Sequence, residues 1–347
     1  MRVLLIGGTN FIGPALTRRL VGMGHEVAVF HRGRTRAELP VGVGRILGDR
    51  RDLGSRVDEF RRFAPDVVVD MIAFTEGDAL GLVETFRALA RRAVVVSSGD
   101  VYRAYGRFIG FEDGPIEPTP LTEDSPSREV LFPFRPRAEG PDDFFFSYDK
   151  IPVERVILGE PDLPGTVLRL PMVHGPGDPY RRLSAYIRRM DDGRPAIVLD
   201  EAMAGWKCPR GYVEDVAAAI ATAVVDDRAE RRVYNVAERD SLTEAGWVRR
   251  IGEAVGWRGR IVAAPVGRIP LPYHMNQDVD MDSGRIRREL DYAETTPPDE
   301  ALAMTIAWER ANPPTTLHGL GLLDYEAEDE LLGEIGGDRG PVGRQLL

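Results

Sequence analysis

Val3-Leu4-Leu5-Ile6-Gly7-Gly8-Thr9-Asn10-Phe11-Ile12-Gly13 begins with four apolar residues and passes at once into glycines. A run this apolar suits a parallel strand buried on both faces, and the glycines after it mark a strand-to-helix turn. Gly7 and Gly8 let the backbone turn sharply and approach a ligand, while Gly13 leaves room for the next helix to pack on the strand. Free N–H groups at the start of that helix, with its dipole, suit a pyrophosphate. The usual spacing is G-x-x-G-x-x-G. Here Asn10 takes the middle glycine's place, and Asn is the non-glycine residue most tolerant of left-handed backbone. A glycine cluster alone also fits an ordinary turn, but the strand before it and the helical pattern after it favour a dinucleotide site made of Gly7, Gly8, Asn10, Phe11, Ile12 and Gly13.

Outward from this turn, Pro14–Met23 reads as a helix and Glu26–Phe30 as a second strand, ending at His31-Arg32-Gly33-Arg34. A dinucleotide's adenosine ribose is read at that strand end, and a carboxylate there selects NAD. This chain offers His31, Arg32 and Arg34 instead, which favours NADP, with NAD as the alternative. Gly44–Leu47 is the next strand, followed by Asp49 and Arg50 as cofactor candidates; Asp49 can accept from the adenine amino group or equally cap the helix at Leu53–Phe63. Pro65–Met71 and Ala93–Val96 are further buried strands, with helices at Leu53–Phe63 and Leu80–Arg91, and Met71 and Ala73 border the cofactor's ribose. This βαβα alternation predicts an α/β fold, a Rossmann-type doubly wound parallel sheet with a smaller C-terminal substrate lobe.

The 347 residues are 43% apolar, enough to bury a core without covalent staples. Cys208 is the single cysteine, which excludes a disulfide framework and a Cys-based zinc site. No apolar run approaches the roughly 18 residues of a membrane span, so the cytoplasm is the expected compartment. A net charge of −10 argues against nucleic acid as the main partner. Lys150 and Lys207 are the only lysines in a chain otherwise served by arginine. Lysine's pKa is the more readily tuned of the two, which singles these positions out.

Ser97-Ser98-Gly99-Asp100-Val101-Tyr102 follows the buried strand Ala93–Val96. Ligands of open α/β sheets lie outside the carboxyl ends of the strands, so these hydroxyls are placed for chemistry. Residues 103–147 then carry seven prolines and no clear period, the pattern of a functional lid or of disorder.

With the glycine turn, Gly48-Asp49, the serine motif, Lys150 with Glu154, Arg169–Gly177, Arg210–Ala217 and Val233–Val236 in this order, residues 1–312 resemble the extended short-chain dehydrogenase/reductase superfamily of NAD(P)-dependent epimerases and dehydratases. The resemblance implies a serine that bonds the substrate oxygen, a tyrosine acid/base and a lysine four residues after it. A phenol with a pKa of about 10 needs a neighbouring cation before it is a useful base at neutral pH. Carried over, Ser98 is the catalytic hydroxyl, Ser97 lies nearer the cofactor, Lys150 is the lysine, and Pro171 and Val173 border the nicotinamide. The tyrosine's place is taken by Phe146. Tyr148 is the substitute. Inside one helix it would lie about 200° from Lys150, but Pro152 belongs in a first turn, so the helix can begin as late as Tyr148–Lys150. Tyr102 and Tyr105 are weaker reserves, and Tyr148 equally suits aromatic packing with Phe144–Phe146.

The turn's spacing and Phe146 resemble the superfamily's atypical branch, which includes the chloroplast stem-loop-binding proteins. The resemblance implies an enzyme acting on a carbinol or ketone of a sugar-like or nucleotide-sugar substrate, through catalytic Ser98, Tyr148 and Lys150. The alternative is an NAD(P)-binding module without the chemistry, associated with RNA. Residues 1–170, with 212–236, form the expected cofactor domain, 171–323 the substrate lobe and 324–347 an acidic tail. Asp178, Tyr180, Arg181 and Arg210 lie where relatives hold a phosphate or sugar, and His174 is read as a packing residue. A homodimer stays open, and no histidine has metal-ligand spacing.

Overall fold

The computed structural model describes residues 1–35, 37–314 and 325–337. Val3, Leu4, Leu5 and Ile6 lie in β1 (Arg2–Ile6), each fully buried. Side chains alternate along a strand. Val3 and Leu5 therefore join Leu16, Leu20 and Ile220 on one face of the sheet, while Leu4 and Ile6 join Phe60, Leu82, Phe86 and Val153 on the other.

The remaining strands are β2 (Glu26–His31), β3 (Gly44–Leu47), β4 (Val67–Asp70), β5 (Arg92–Ser98), β6 (Gly165–Leu170), β7 (Met172–His174), β8 (Ala196–Asp200), β9 (Arg210–Tyr212), β10 (Val233–Asn235) and β11 (Arg260–Ala264). Seven of them form one parallel sheet in the order β10-β6-β5-β4-β1-β2-β3. The order reverses between β1 and β4, which opens a crevice at the strands' carboxyl ends. This is the doubly wound sheet expected from the sequence. β7 pairs with β9 and β8 with β11, both in parallel.

The opening turn differs from expectation in one respect. The left-handed residue is Phe11 (φ 44°), not Asn10. The Asn10 carbonyl accepts from Gly13 N–H at 2.9 Å, so the chain reverses one residue later, and the helix Ile12–Gly22 starts earlier than Pro14. A Cβ on Gly13 would stand 2.4 Å from the Gly8 carbonyl carbon, a backbone contact that cannot swing aside. Gly13→Ala is expected to cost about 1–3 kcal/mol of stability by overpacking and to weaken cofactor binding, measured by chemical denaturation and dinucleotide titration.

Thr75 and Asp78 cap each other reciprocally, so the next helix spans Glu76–Phe86 and starts before Leu80. Residues 103–147 are tied down, neither a free lid nor disordered. Tyr102 bridges Ser127, Arg128 N–H donates to the Val101 carbonyl at 2.8 Å, and Leu121 bridges Met281.

A second apolar cluster gathers Leu183, Ile187, Trp206, Trp247, Ile251 and Leu302, beside the β8/β11 pair. The acidic segment expected as a tail contains the helix Tyr325–Gly337, whose Leu331 packs on Val198, Ala264 and Ile269 and whose Glu328 takes the buried Arg189. Residues 315–324 and 338–347 lie outside the described part. Among the described residues no helix is long and apolar enough to cross a membrane, and no cluster of His, Cys, Asp and Glu is arranged for a metal.

Candidate active site

Asp149 accepts from Ile151 N–H at 2.9 Å and caps the helix Lys150–Gly159, placing Pro152 in its first turn. Lys150 is thereby turned into the crevice. Its Nζ donates to the carbonyls of Ala73 at 2.7 Å and Val96 at 2.9 Å and stands 4.6 Å from the centre of the Phe74 ring. Burial pushes this ammonium down to about 8, while Asp100, Asp70, Asp78 and Glu154 favour its charge.

A separate turn, Phe144–Ser147, ends at Tyr148, whose backbone is extended. The break frees Tyr148 from the angular constraint of one continuous helix. Its hydroxyl donates to Asp100 Oδ2 at 2.6 Å, and its ring packs among Phe74, Phe134 and Phe144. Phe146 lies elsewhere: the guanidinium of Arg135 sits 4.7 Å from its ring centre and 4.2 Å from that of Phe132. Burial first, and then the Asp100 charge and hydrogen bond, hold the Tyr148 phenol well above its ordinary value. The tyrosine therefore stays protonated, where the resemblance implied a phenol activated by Lys150.

Asp100 is the residue that sequence reasoning passed over, although it lies inside the serine motif. It is 7% exposed, one carboxylate oxygen holds Tyr148, and the other, Oδ1, is buried with no hydrogen-bond partner. Burial raises its pKa above the usual carboxylate range, against the opposing pull of Arg128, the Tyr148 hydrogen bond and Lys150. An acid at the end of a serine-rich strand was the available signal. Ser98 Oγ accepts from Asp100 N–H at 3.2 Å and keeps its own proton for a ligand. Ser97 Oγ donates to Glu154 Oε1 at 2.5 Å, and Glu154 is clamped by Arg169 through two hydrogen bonds. Ser97 thus fixes the strand to the helix.

Of the reserve tyrosines, Tyr102 donates to Asn235 at 2.6 Å and is pushed up to about 12 by burial. Cys208 is likewise buried and pushed up to about 12, which removes it as a nucleophile.

The glycine turn fits a dinucleotide. Gly7 has φ 85°, and Gly13 lies against the Gly8 backbone at the start of the helix Ile12–Gly22. At the end of β2, His31 accepts from Gly33 N–H at 3.1 Å and leaves its buried Nε2 without a partner. Burial, then Arg45, lowers the His31 pKa, and with Nδ1 accepting from Gly33 the neutral ring carries its proton on Nε2, a free donor. Arg32 and Arg34 are exposed beside it. Asp49 is paired with Arg51 and held down at about 2. Arg50, read with Asp49 as a cofactor residue, is buried on Asp70 at the end of β4 and on Asp78 in the helix Glu76–Phe86. Met71 and Pro171 are half-buried, and Ala73 and Val173 buried, along the carboxyl ends of β4 and β6. Across the crevice, His174 is buried between Thr305 and Glu238 at 3.1 Å each, a packing role as read from sequence.

A model of the NAD dependent epimerase/dehydratase family matches residues 3–91 and 146–237, more than half of the chain. The chain is 28% identical over 274 residues to a 2'-dehydrokanamycin reductase from Streptomyces kanamyceticus, covering 76% of this chain and 70% of that protein. It is 22% identical over 269 residues to chloroplast stem-loop binding protein of 41 kDa b from Arabidopsis thaliana, covering 74% of this chain and 64% of that protein. Among solved structures, the UDP-glucose 4-epimerase of Thermotoga maritima with UDP-glucose aligns with a TM-score of 0.66 at 17% identity, over 90% of this chain and 100% of that one. The Thermus thermophilus UDP-glucose 4-epimerase in complex with NAD aligns at 0.64 and 23% identity, again over 90% of this chain and 100% of that one. With the sheet order, the glycine turn and the buried lysine at one crevice, these matches place the chain in the NAD dependent epimerase/dehydratase family.

Proposed function

We propose that this protein is an NADP-preferring oxidoreductase acting on a carbinol or ketone carbon of a sugar-like substrate. The observation that carries the reading is the Tyr148–Asp100 hydrogen bond beside Lys150. A bound nicotinamide supplies or accepts the hydride at the substrate carbon. In the reducing direction the carbonyl's electron pair moves to oxygen, and Tyr148 gives that oxygen its proton. When the phenol proton turns from Asp100 to the substrate oxygen, the Asp100 carboxyl in its protonated form donates to the phenol oxygen across the same contact, refills it and is left as a carboxylate, so the phenol never ionises beside a carboxylate. Ser98 donates to the same substrate oxygen. Lys150 holds the nicotinamide ribose, and its charge offsets that left on Asp100. Oxidation runs these proton moves in reverse.

Gly7, Gly8, Asn10, Phe11, Ile12 and Gly13 hold the pyrophosphate, and Arg32 and Arg34 the 2′-phosphate. Oxidation of NADPH by a panel of ketoses tests the reading. The combined Arg32→Ala and Arg34→Ala variant is expected to lose roughly ten- to hundredfold in NADPH affinity, with NADH binding unchanged. Equal losses for both cofactors would remove the NADP preference. Phe146 favours a second reading, a binding module without turnover. NADPH binding with no reaction on any ketose, together with salt-sensitive RNA affinity, would select it.

A further inference from the structure

A cavity of about 340 Å³ opens beyond the end of β6, walled by Met172, Tyr180, Tyr186, Trp206, Arg210 and Tyr273. Its volume lies at the lower end of the roughly 300–1,000 Å³ of small-molecule sites. Met172 lies directly beyond Pro171, which follows β6, and Tyr105 packs on Phe108, which stacks on the cavity's Trp206 and Tyr273.

Two cations line it, Arg182 and Arg210, the pair that would grip a diphosphate. Both are already engaged. Arg210 bonds Glu244 Oε2 and lies over the Trp247 ring at 4.6 Å, and Glu244 Oε1 accepts from Tyr186 at 2.8 Å. Glu244 is the first residue of the helix Glu244–Val255, where the helix dipole also favours its negative charge. Arg182 Nη1 donates to Asp178 at 2.6 Å and to the Val173 carbonyl at 2.8 Å, and Asp178 is fully buried. The cavity is thus electrically balanced and aromatic: Phe108 stacks on Trp206 at 4.7 Å and on Tyr273 at 4.9 Å behind it. A diphosphate would have to compete with Glu244 for the buried Arg210 and with the fully buried Asp178 for the half-buried Arg182, leaving each carboxylate without its cation. Arg210 lines the cavity while paired with Glu244, so its guanidinium can add a neutral oxygen without giving up that partner.

We propose that the group bound in this cavity is uncharged and free of phosphate, a ring with an apolar face set against the aromatic wall, with a hydroxyl or carbonyl oxygen taken by Arg210. Glu244 acts as the element that turns diphosphates away. This rests on the oxidoreductase reading only in calling the bound group part of the substrate.

Calorimetry on the full chain saturated with NADP, with UDP, UDP-glucose and phenyl β-D-glucoside as probes, separates the possibilities. The glucoside is expected to bind, and UDP and UDP-glucose to give no heat at the same concentration. Glu244→Gln frees Arg210 and is expected to raise UDP affinity about tenfold or more, in a salt-sensitive manner. UDP or UDP-glucose binding to the unaltered protein more tightly than the glucoside overturns the proposal, and so does a folded Glu244→Gln variant with unchanged UDP affinity. Failure of the glucoside and both nucleotides alike overturns the aromatic-ring half. If Glu244→Gln does not fold, the unaltered protein decides. Absent turnover with the binding pattern intact defeats the oxidoreductase reading and leaves this one standing.

Discussion

Tyr148→Phe is expected to lower kcat by about 10²–10⁴, the usual contribution of a positioned acid, with cofactor affinity unchanged. The ring's packing against Phe74, Phe134 and Phe144 survives the change, and only the bond to Asp100 is lost. That loss leaves the buried Asp100 carboxyl without its Tyr148 partner, at a stability cost of about 1–3 kcal/mol. Adding a hydroxyl at the family's usual position does not restore activity: Phe146 lies beside Arg135, which also donates to its carbonyl at 2.8 Å. Single-turnover kinetics of Tyr148→Phe alone and with Phe146→Tyr check both statements. An unimpaired kcat for the single variant would remove Tyr148 from the mechanism.

Asp100→Asn is expected to reduce the rate of carbonyl reduction by about 10² or more, because the amide cannot refill Tyr148. In the unaltered enzyme, reduction needs the carboxyl protonated and slows as pH rises through the raised pKa of Asp100, while oxidation needs the carboxylate and quickens. The variant loses this titration in both directions. Stability falls with rising pH as reduction does. A carboxyl whose folded pKa is raised favours folding below its unfolded value, about 3.9, and penalises it progressively as pH climbs to the folded value. Asp100→Asn therefore gains stability relative to the unaltered protein as pH rises above about 4. Lys150 sets the other limit: with its pKa near 8, its charge and the activity decline together above that pH. A pH series of urea denaturation and of kcat/KM in both directions follows all of these.

The fold was legible because Val3–Ile6 must be buried on both faces and Gly13 must lack a side chain, and both demands are local. Lys150 was legible through its spacing to Glu154. The partner of Tyr148 was not, because Asp100 lies 48 positions away and meets it only after β5 and the turn before Lys150 are placed. For the same reason Arg50 and Arg210 read as free cations in sequence, while the fold gives each a buried carboxylate. Ion pairs across elements carry no local signature, and the side chain's type is the same whether it waits for a ligand or is already satisfied.

Asp149 is the joint on which these parts meet. One carboxylate caps the lysine helix, receives the buried Arg128 at 3.0 Å and receives Phe132 N–H at 2.7 Å, while Arg128 also donates to the Asp100 carbonyl at 2.5 Å. The proline-rich segment is thus pinned to the proton path at residue 132 and again where Phe134 and Phe144 pack on the Tyr148 ring. The joint makes the two inseparable: a change at Asp149 or Arg128 shifts this segment and the register of Asp100, Tyr148 and Lys150 together.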